Sequence, residues 1–252
     1  MPFTDRRGFV GRKAAIRSLT GAAMGMLLAL QAATSQAATV TYTTLDGSTQ
    51  GGLPVSAAAT FTTGAGTIQI SLTNLLANPT GVIQNISDLL FTLSTGENSG
   101  TLTSSSGTAI MIGTNGVVTG STPGISTDWT LTTQGSSLYL DVLGPPDGPA
   151  QTIIGPPGPG GVYANANGSI AGNGPHNPFL QGTVHFTLAV AGVTAATTVT
   201  GATFSFGTAA GDDTPGIQAV PEPSTLALVA SSLVPAGLAG LRRLRRSRVA
   251  TA

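Results

Sequence analysis

The chain has 252 residues, no cysteine, 8% charged residues and a formal net charge of zero. All ten Lys and Arg lie within residues 1–17 or 242–248, so the 183 residues from Ala38 to Val220 hold eight acids, no cation and a formal charge of −8. That body cannot neutralise phosphates, which excludes nucleic acid as a partner, and no Lys or Arg ion pair can stabilise it.

In chain order, residues 1–37 read as an export signal. Arg6, Arg7, Arg12, Lys13 and Arg17 form a basic n-region, and residues 19–30 form an apolar stretch too short to span a bilayer. Ser35-Gln36-Ala37 places small residues at −3 and −1, so cleavage after Ala37 is expected. Asp5-Arg6-Arg7-Gly8-Phe9-Val10 also fits a twin-arginine motif, and general secretory export fits the same basic start.

The body, 38–211, reads as all-β: a single sandwich or jelly-roll-like domain. Period-two alternation puts Ile68, Ile70 and Leu72 on one face, then Leu89, Phe91 and Leu93, then Leu138, Leu140 and Val142. The same period recurs at Val184, Phe186, Leu188 and Val190, and at Ala202, Phe204 and Phe206. Residues 40–45, 109–112 and 129–133 are weaker strand candidates. Strands wetted on one side bury their apolar stripes by packing two sheets face to face. Residues 46–54, 144–161 and 165–178 are rich in Gly, Pro and Asn and read as turns and loops. The Gly-X-Y register of collagen fails within 144–161. The body needs no disulfide, because a chain of this size buries most of its apolar surface.

Chemistry is hard to build from these residues. No Gly-x-Ser-x-Gly elbow occurs, and thiol, Schiff-base and guanidinium chemistry have no donor in the body. Only His176 and His185 can serve as imidazole bases. His185 falls on the polar side of its strand and His176 in a Pro/Asn/Gly loop. No catalytic residue, metal ligand set or cofactor is expected, and the chain reads as a non-enzyme. The alternative for metal is Ca²⁺ on Asp212-Asp213, with Asp46 or Asp147.

Residues 212–223 read as a linker ending in Val220, Pro221, Glu222 and Pro223. The two prolines hold that tripeptide extended and remove backbone donors. Residues 224–241 carry no charge and, as a helix, reach about 27 Å, enough for a hydrocarbon core. The basic tail 242–252 holds Arg242, Arg243, Arg245, Arg246 and Arg248, which resist translocation and keep that end cytoplasmic. An ordinary membrane anchor shares this outline, but Ser224, Ser231, Pro235, Gly237 and Gly240 make the span only marginally apolar.

This three-part end resembles the PEP-CTERM sorting signal of Gram-negative bacteria. The resemblance implies recognition by an exosortase-type membrane enzyme, cleavage near the tripeptide, and passage from an inner-membrane intermediate to the cell surface or the extracellular space. It also implies company with exopolysaccharide and biofilm. A fainter likeness to the body of such proteins lies in 177–179, 184–188, 192–195 and 204–208, which read as late core strands. Two functions follow as expectations. One is a non-catalytic surface or matrix protein. The other is a carbohydrate-binding or adhesion module using the same delivery, with Trp129 and residues 144–178 near its binding surface.

Overall fold

The computed structural model describes residues 37–144, 149–209 and 213–218, with only the backbone at Asp213. The expected signal segment 1–36, the tripeptide, the membrane segment and the arginine tail lie outside the described residues. Among the described residues, no helix is long and apolar enough to cross a membrane.

The fold is all-β. The strands in chain order are β1 (Ala38–Thr44), β2 (Thr49–Gln50), β3 (Leu53–Pro54), β4 (Ala57–Gly64) and β5 (Thr67–Asn74). Next come β6 (Ile86–Leu93), β7 (Thr101–Ile112), β8 (Val118–Ile125), β9 (Thr130–Gln134) and β10 (Ser137–Asp141). The last five are β11 (Ile153–Ile154), β12 (Phe179–Gln181), β13 (Thr183–Ala189), β14 (Val199–Phe206) and β15 (Asp213–Gln218). β2 and β3 form a separate small hairpin, and the other thirteen share one ladder.

The ladder runs β11-β12-β7-β13-β5-β4-β1-β15-β14-β6-β10-β9, with β8 beside β7. β11 also meets β6 at Ile153↔Ile86, so the hydrogen-bonded order returns to its start. Two strands turn the corners. The first half of β7 pairs β13 and its second half pairs β8 and β12. β15 pairs β14 through residues 213–215 and β1 through residues 216–218.

The apolar alternation predicts the core well. Ile68, Ile70, Leu72, Leu89, Phe91, Leu138, Leu140, Val184, Phe186, Leu188, Phe204 and Phe206 are all buried. One cluster gathers residues of β1, β4, β5 and β13 with residues of β6, β10 and β14, which gives the fold its sandwich-like character. Phe61 of β4 meets Phe91 of β6 at 5.1 Å between ring centroids. Each such ring, fully removed from water, contributes about 1.5–3 kcal/mol before entropy is counted.

Several expectations change. The loop 144–161 contains β11, whose Ile153 and Ile154 are fully buried and run parallel to β12. The loop 165–178 places Ile170 in a second core, with Ile110, Ile112, Ile154, Phe179 and Tyr163, which lies between the two expected loops. A side chain at Gly155 would collide with the Leu76 carbonyl oxygen, so the backbones approach too closely there for any larger residue. The expected linker is shorter than 212–223, because residues 213–218 form β15. Residues 192–195, expected as strand, lie in the connection between β13 and β14.

Candidate functional site

β15 ends at Gln218, three residues before Pro221, and is built into the body rather than tethered to it. Pro215 sits where the strand changes partners, opposite Thr203 of β14, and its missing N–H suits a point where pairing switches sides. Gly216 follows. A Cβ there would stand 2.9 Å from the Phe204 ring and 3.0 Å from the Ala202 carbonyl oxygen, so glycine lets the strand pass close over β14.

Beyond this crossing β1 and the start of β14 diverge. Among the described residues, pairing on this side stops at Tyr42 on β1 and at Thr203 on β14. A cleft of about 360 Å³ opens there, lined by Thr39, Val40, Thr63, Thr197, Val199 and Gln218 among others. A smaller one of about 220 Å³ lies beside it, against Tyr42, Phe91 and Gly216. Side-chain and backbone hydrogen bonds bridge the seam where strand pairing is missing. The Tyr42 hydroxyl donates to the Val199 carbonyl at 3.0 Å. The Thr63 hydroxyl donates to the Thr197 carbonyl at 2.7 Å, and the Ala38 amide donates to the Ala195 carbonyl at 3.2 Å. Burial pushes the Tyr42 phenol pKa up. The larger cleft is neutral: its lining among the described residues is hydroxyl, amide and aliphatic. Sequence reasoning missed this seam, because Tyr42 and Val199 lie 157 positions apart and no local pattern joins them.

The outer face of β1, β4, β5 and β13 is a sheet of small hydroxyls. Thr41 bonds Thr60 at 2.9 Å, Thr39 bonds Thr62 at 3.3 Å and Thr73 bonds Thr183 at 2.8 Å. His185, exposed as expected, shares a 3.0 Å hydrogen bond with the Ser71 hydroxyl through Nδ1. Ser71 and His185 face each other in register on an open face, with Ser106 on the far side of His185. Among the described residues, the hydrogen bond that the His185 ring makes is the one to Ser71. His176 closes a short 3₁₀ turn, its Nδ1 2.6 Å from the Ser169 carbonyl oxygen.

Trp129 is not on a surface. It is 2% exposed, its indole N–H donates to the Gln151 carbonyl at 3.0 Å, and its ring lies 5.3 Å from that of Phe186. Trp129, expected near a binding surface, belongs instead to the core.

The acids separate. Asp46 lies exposed in the turn before β2, while Asp147 and Asp212 lie outside the described residues. Register places Asp141, Asp88, Ser205 and Asp213 in one cross-strand row over β10, β6, β14 and β15. Asp88 is buried and accepts from the Tyr139 hydroxyl at 3.1 Å. Asp141 accepts from the Leu143 and Gly144 amides at 2.7 and 2.8 Å, closing its own turn. Among the described residues, no group of three or more His, Cys, Asp or Glu could hold a metal ion.

Compared with protein-family models, curated proteins and solved structures, the chain matches none.

Proposed function

We propose that this is a non-catalytic, exported surface or extracellular-matrix protein, associated with exopolysaccharide or biofilm. Its β body, a sandwich or jelly roll, is shipped by an N-terminal signal peptide and a C-terminal PEP-CTERM-type sorting signal. The observation that carries the reading is the order at the chain end: Val220-Pro221-Glu222-Pro223, an uncharged segment 224–241, then five arginines at 242, 243, 245, 246 and 248. The cation-free body supports it, since every positive charge sits in a terminal segment whose export role needs it. The partner on this reading is an exosortase-type enzyme, which meets the protein as an inner-membrane intermediate. Glu222→Ala together with Pro223→Ala should leave the protein in the inner membrane at its unprocessed size. Arrival of the doubly substituted protein at the cell surface with the usual mass would rule out the tripeptide as the recognised element.

A second reading, carbohydrate binding or adhesion with or without Ca²⁺, rests on a different observation. The Thr/Ser rows of the β1–β4–β5–β13 face present neutral donors and acceptors at strand spacing, about 4.8 Å apart. Retention of the mature protein on neutral polysaccharides, lost on replacing Thr60, Ser71 and Thr187 by Ala, supports this reading. No retention on any polysaccharide, with or without Ca²⁺, leaves the structural role.

A further inference from the structure

We propose that Asn167 is a self-modification site. Its side-chain amide cyclises with the Gly168 main-chain nitrogen and then opens to aspartate or isoaspartate, so the body gains a negative charge as it ages.

The chain has three Asn-Gly pairs, at 115–116, 167–168 and 173–174. Glycine in the second place leaves the attacking nitrogen without a Cβ beside it. The Gly168 nitrogen gives up its proton and bonds the Asn167 Cγ. The Cγ–Nδ2 bond breaks, and Nδ2 takes up a proton and leaves as ammonia. Water then adds to either carbonyl of the cyclic imide. One opening leaves aspartate; the other routes the main chain through the side-chain carbon and leaves isoaspartate. Water is the one co-reactant, and nothing is oxidised or reduced.

The structure separates the three pairs. Asn167 is exposed, and its Oδ1 accepts from the Ser169 amide at 2.8 Å and from the Ser169 hydroxyl at 2.5 Å. The Val82 amide donates to that same hydroxyl oxygen at 2.9 Å, which leaves the Ser169 proton for Asn167 Oδ1. Two donors fixed on a carbonyl oxygen draw charge from its carbon and stabilise the oxyanion formed when the nitrogen adds. Among the described residues, no hydrogen bond engages the Gly168 N–H or the Asn167 Nδ2, so the attacking and leaving groups are both free.

The other two pairs are held. The Gly116 amide donates to the Gly113 carbonyl at 3.0 Å. Gly116 is also packed against Tyr163, where a Cβ would stand 2.3 Å from the Tyr163 carbonyl oxygen. Asn173 engages its leaving Nδ2 with the Gly168 carbonyl at 3.2 Å, and its own carbonyl takes both the amide and the Nδ2 of Asn177.

The site also matters to packing. The Asn167 amide donates to the Thr80 carbonyl at 2.8 Å, and its carbonyl accepts from the Ile170 amide at 3.0 Å. That clasp seats the fully buried Ile170 in the second core, and isoaspartate lengthens the main chain inside it. Nothing here depends on how the protein is delivered, so the inference stands or falls separately from the sorting function.

The test ages the full chain, purified in detergent, in mildly alkaline buffer. Trypsin has no site between Ala38 and Val220, so the aged protein is denatured and cut with chymotrypsin after Tyr163 and Phe179. Fragment masses then place each conversion, and enzymatic methylation marks isoaspartate. In the folded protein Asn167 should convert on the order of tenfold faster than Asn115 or Asn173, and Ser169→Ala should remove most of that lead. In urea the three rates should converge. Gly168→Ala is the companion variant: its φ lies outside the left-handed region and its Cβ meets nothing within 4 Å, so the fold is kept while Asn167 slows. Equal rates at the three pairs in the folded protein, an Asn167 lead that persists in urea, or an undiminished lead in Ser169→Ala would each overturn the proposal.

Discussion

The hydroxyl of Tyr42 donates a 3.0 Å hydrogen bond to the carbonyl of Val199, joining the first strand of the body to the start of β14 where no described strand lies between them. Both residues are buried, and the Tyr42 ring also sits edge-on to Phe61 at 6.2 Å and 84°. A phenol thus supplies the cross-link that a backbone rung supplies elsewhere in the ladder. Tyr42→Phe keeps the ring and strands the carbonyl. The expected cost is about 1–3 kcal/mol, the penalty for a buried acceptor without its donor. Urea denaturation of the two proteins measures it, and an unchanged midpoint would show that water replaces the phenol at no cost.

Tyr163 gives a pH dependence with a definite sign. It is buried in the second core, donates to the Gly155 carbonyl at 2.9 Å and accepts from the Gln181 amide at 3.4 Å. Burial pushes its pKa up from 10.0 to about 12, against a smaller lowering by Gln181. The folded phenol holds its proton where the unfolded one has lost it. Its contribution is therefore fully present below pH 10 and disappears as pH rises towards about 12. Denaturant midpoints at pH 9 and pH 11.5 should differ, and the difference should shrink in Tyr163→Phe. A Tyr163→Phe protein with the same alkaline loss as the parent would place the titrating group elsewhere, with the raised Tyr42 as the next candidate.

How much of this was legible in the sequence depends on whether a strand carries a strong stripe. β5, β6, β10, β13 and β14 alternate large aliphatics or phenylalanines with polar residues, and each buries the expected side. β4 hides because two of its three most deeply buried side chains are alanines, Ala57 and Ala59, beside Phe61. β8 fully buries none of its residues and contains Pro123, with only Val118 and Ile125 packing partly against the core, so it shows no stripe to read; among the described strands it pairs with β7. β15 carries Pro215 and Gly216, the very residues that mark a linker, yet both fit a strand changing partners across a corner. Trp129 misled for a related reason. A lone tryptophan near a strand end is expected close to a binding surface, but Gln151, 22 residues on, takes its N–H in the core. The seam formed by Tyr42, Thr63, Thr197 and Val199 is long-range in every contact, and no spacing announces it.

On the proposed function, a cation-free β body is delivered by two charged ends and then leaves them behind. Intact-mass measurement of the protein recovered from fractionated cells tests this most directly. The expected result is a surface or extracellular species that begins near Ala38, ends near the Pro221-Glu222-Pro223 tripeptide and lacks residues 224–252. A full-length polypeptide of 252 residues, folded in the cytosol with both arginine clusters still attached, would contradict it.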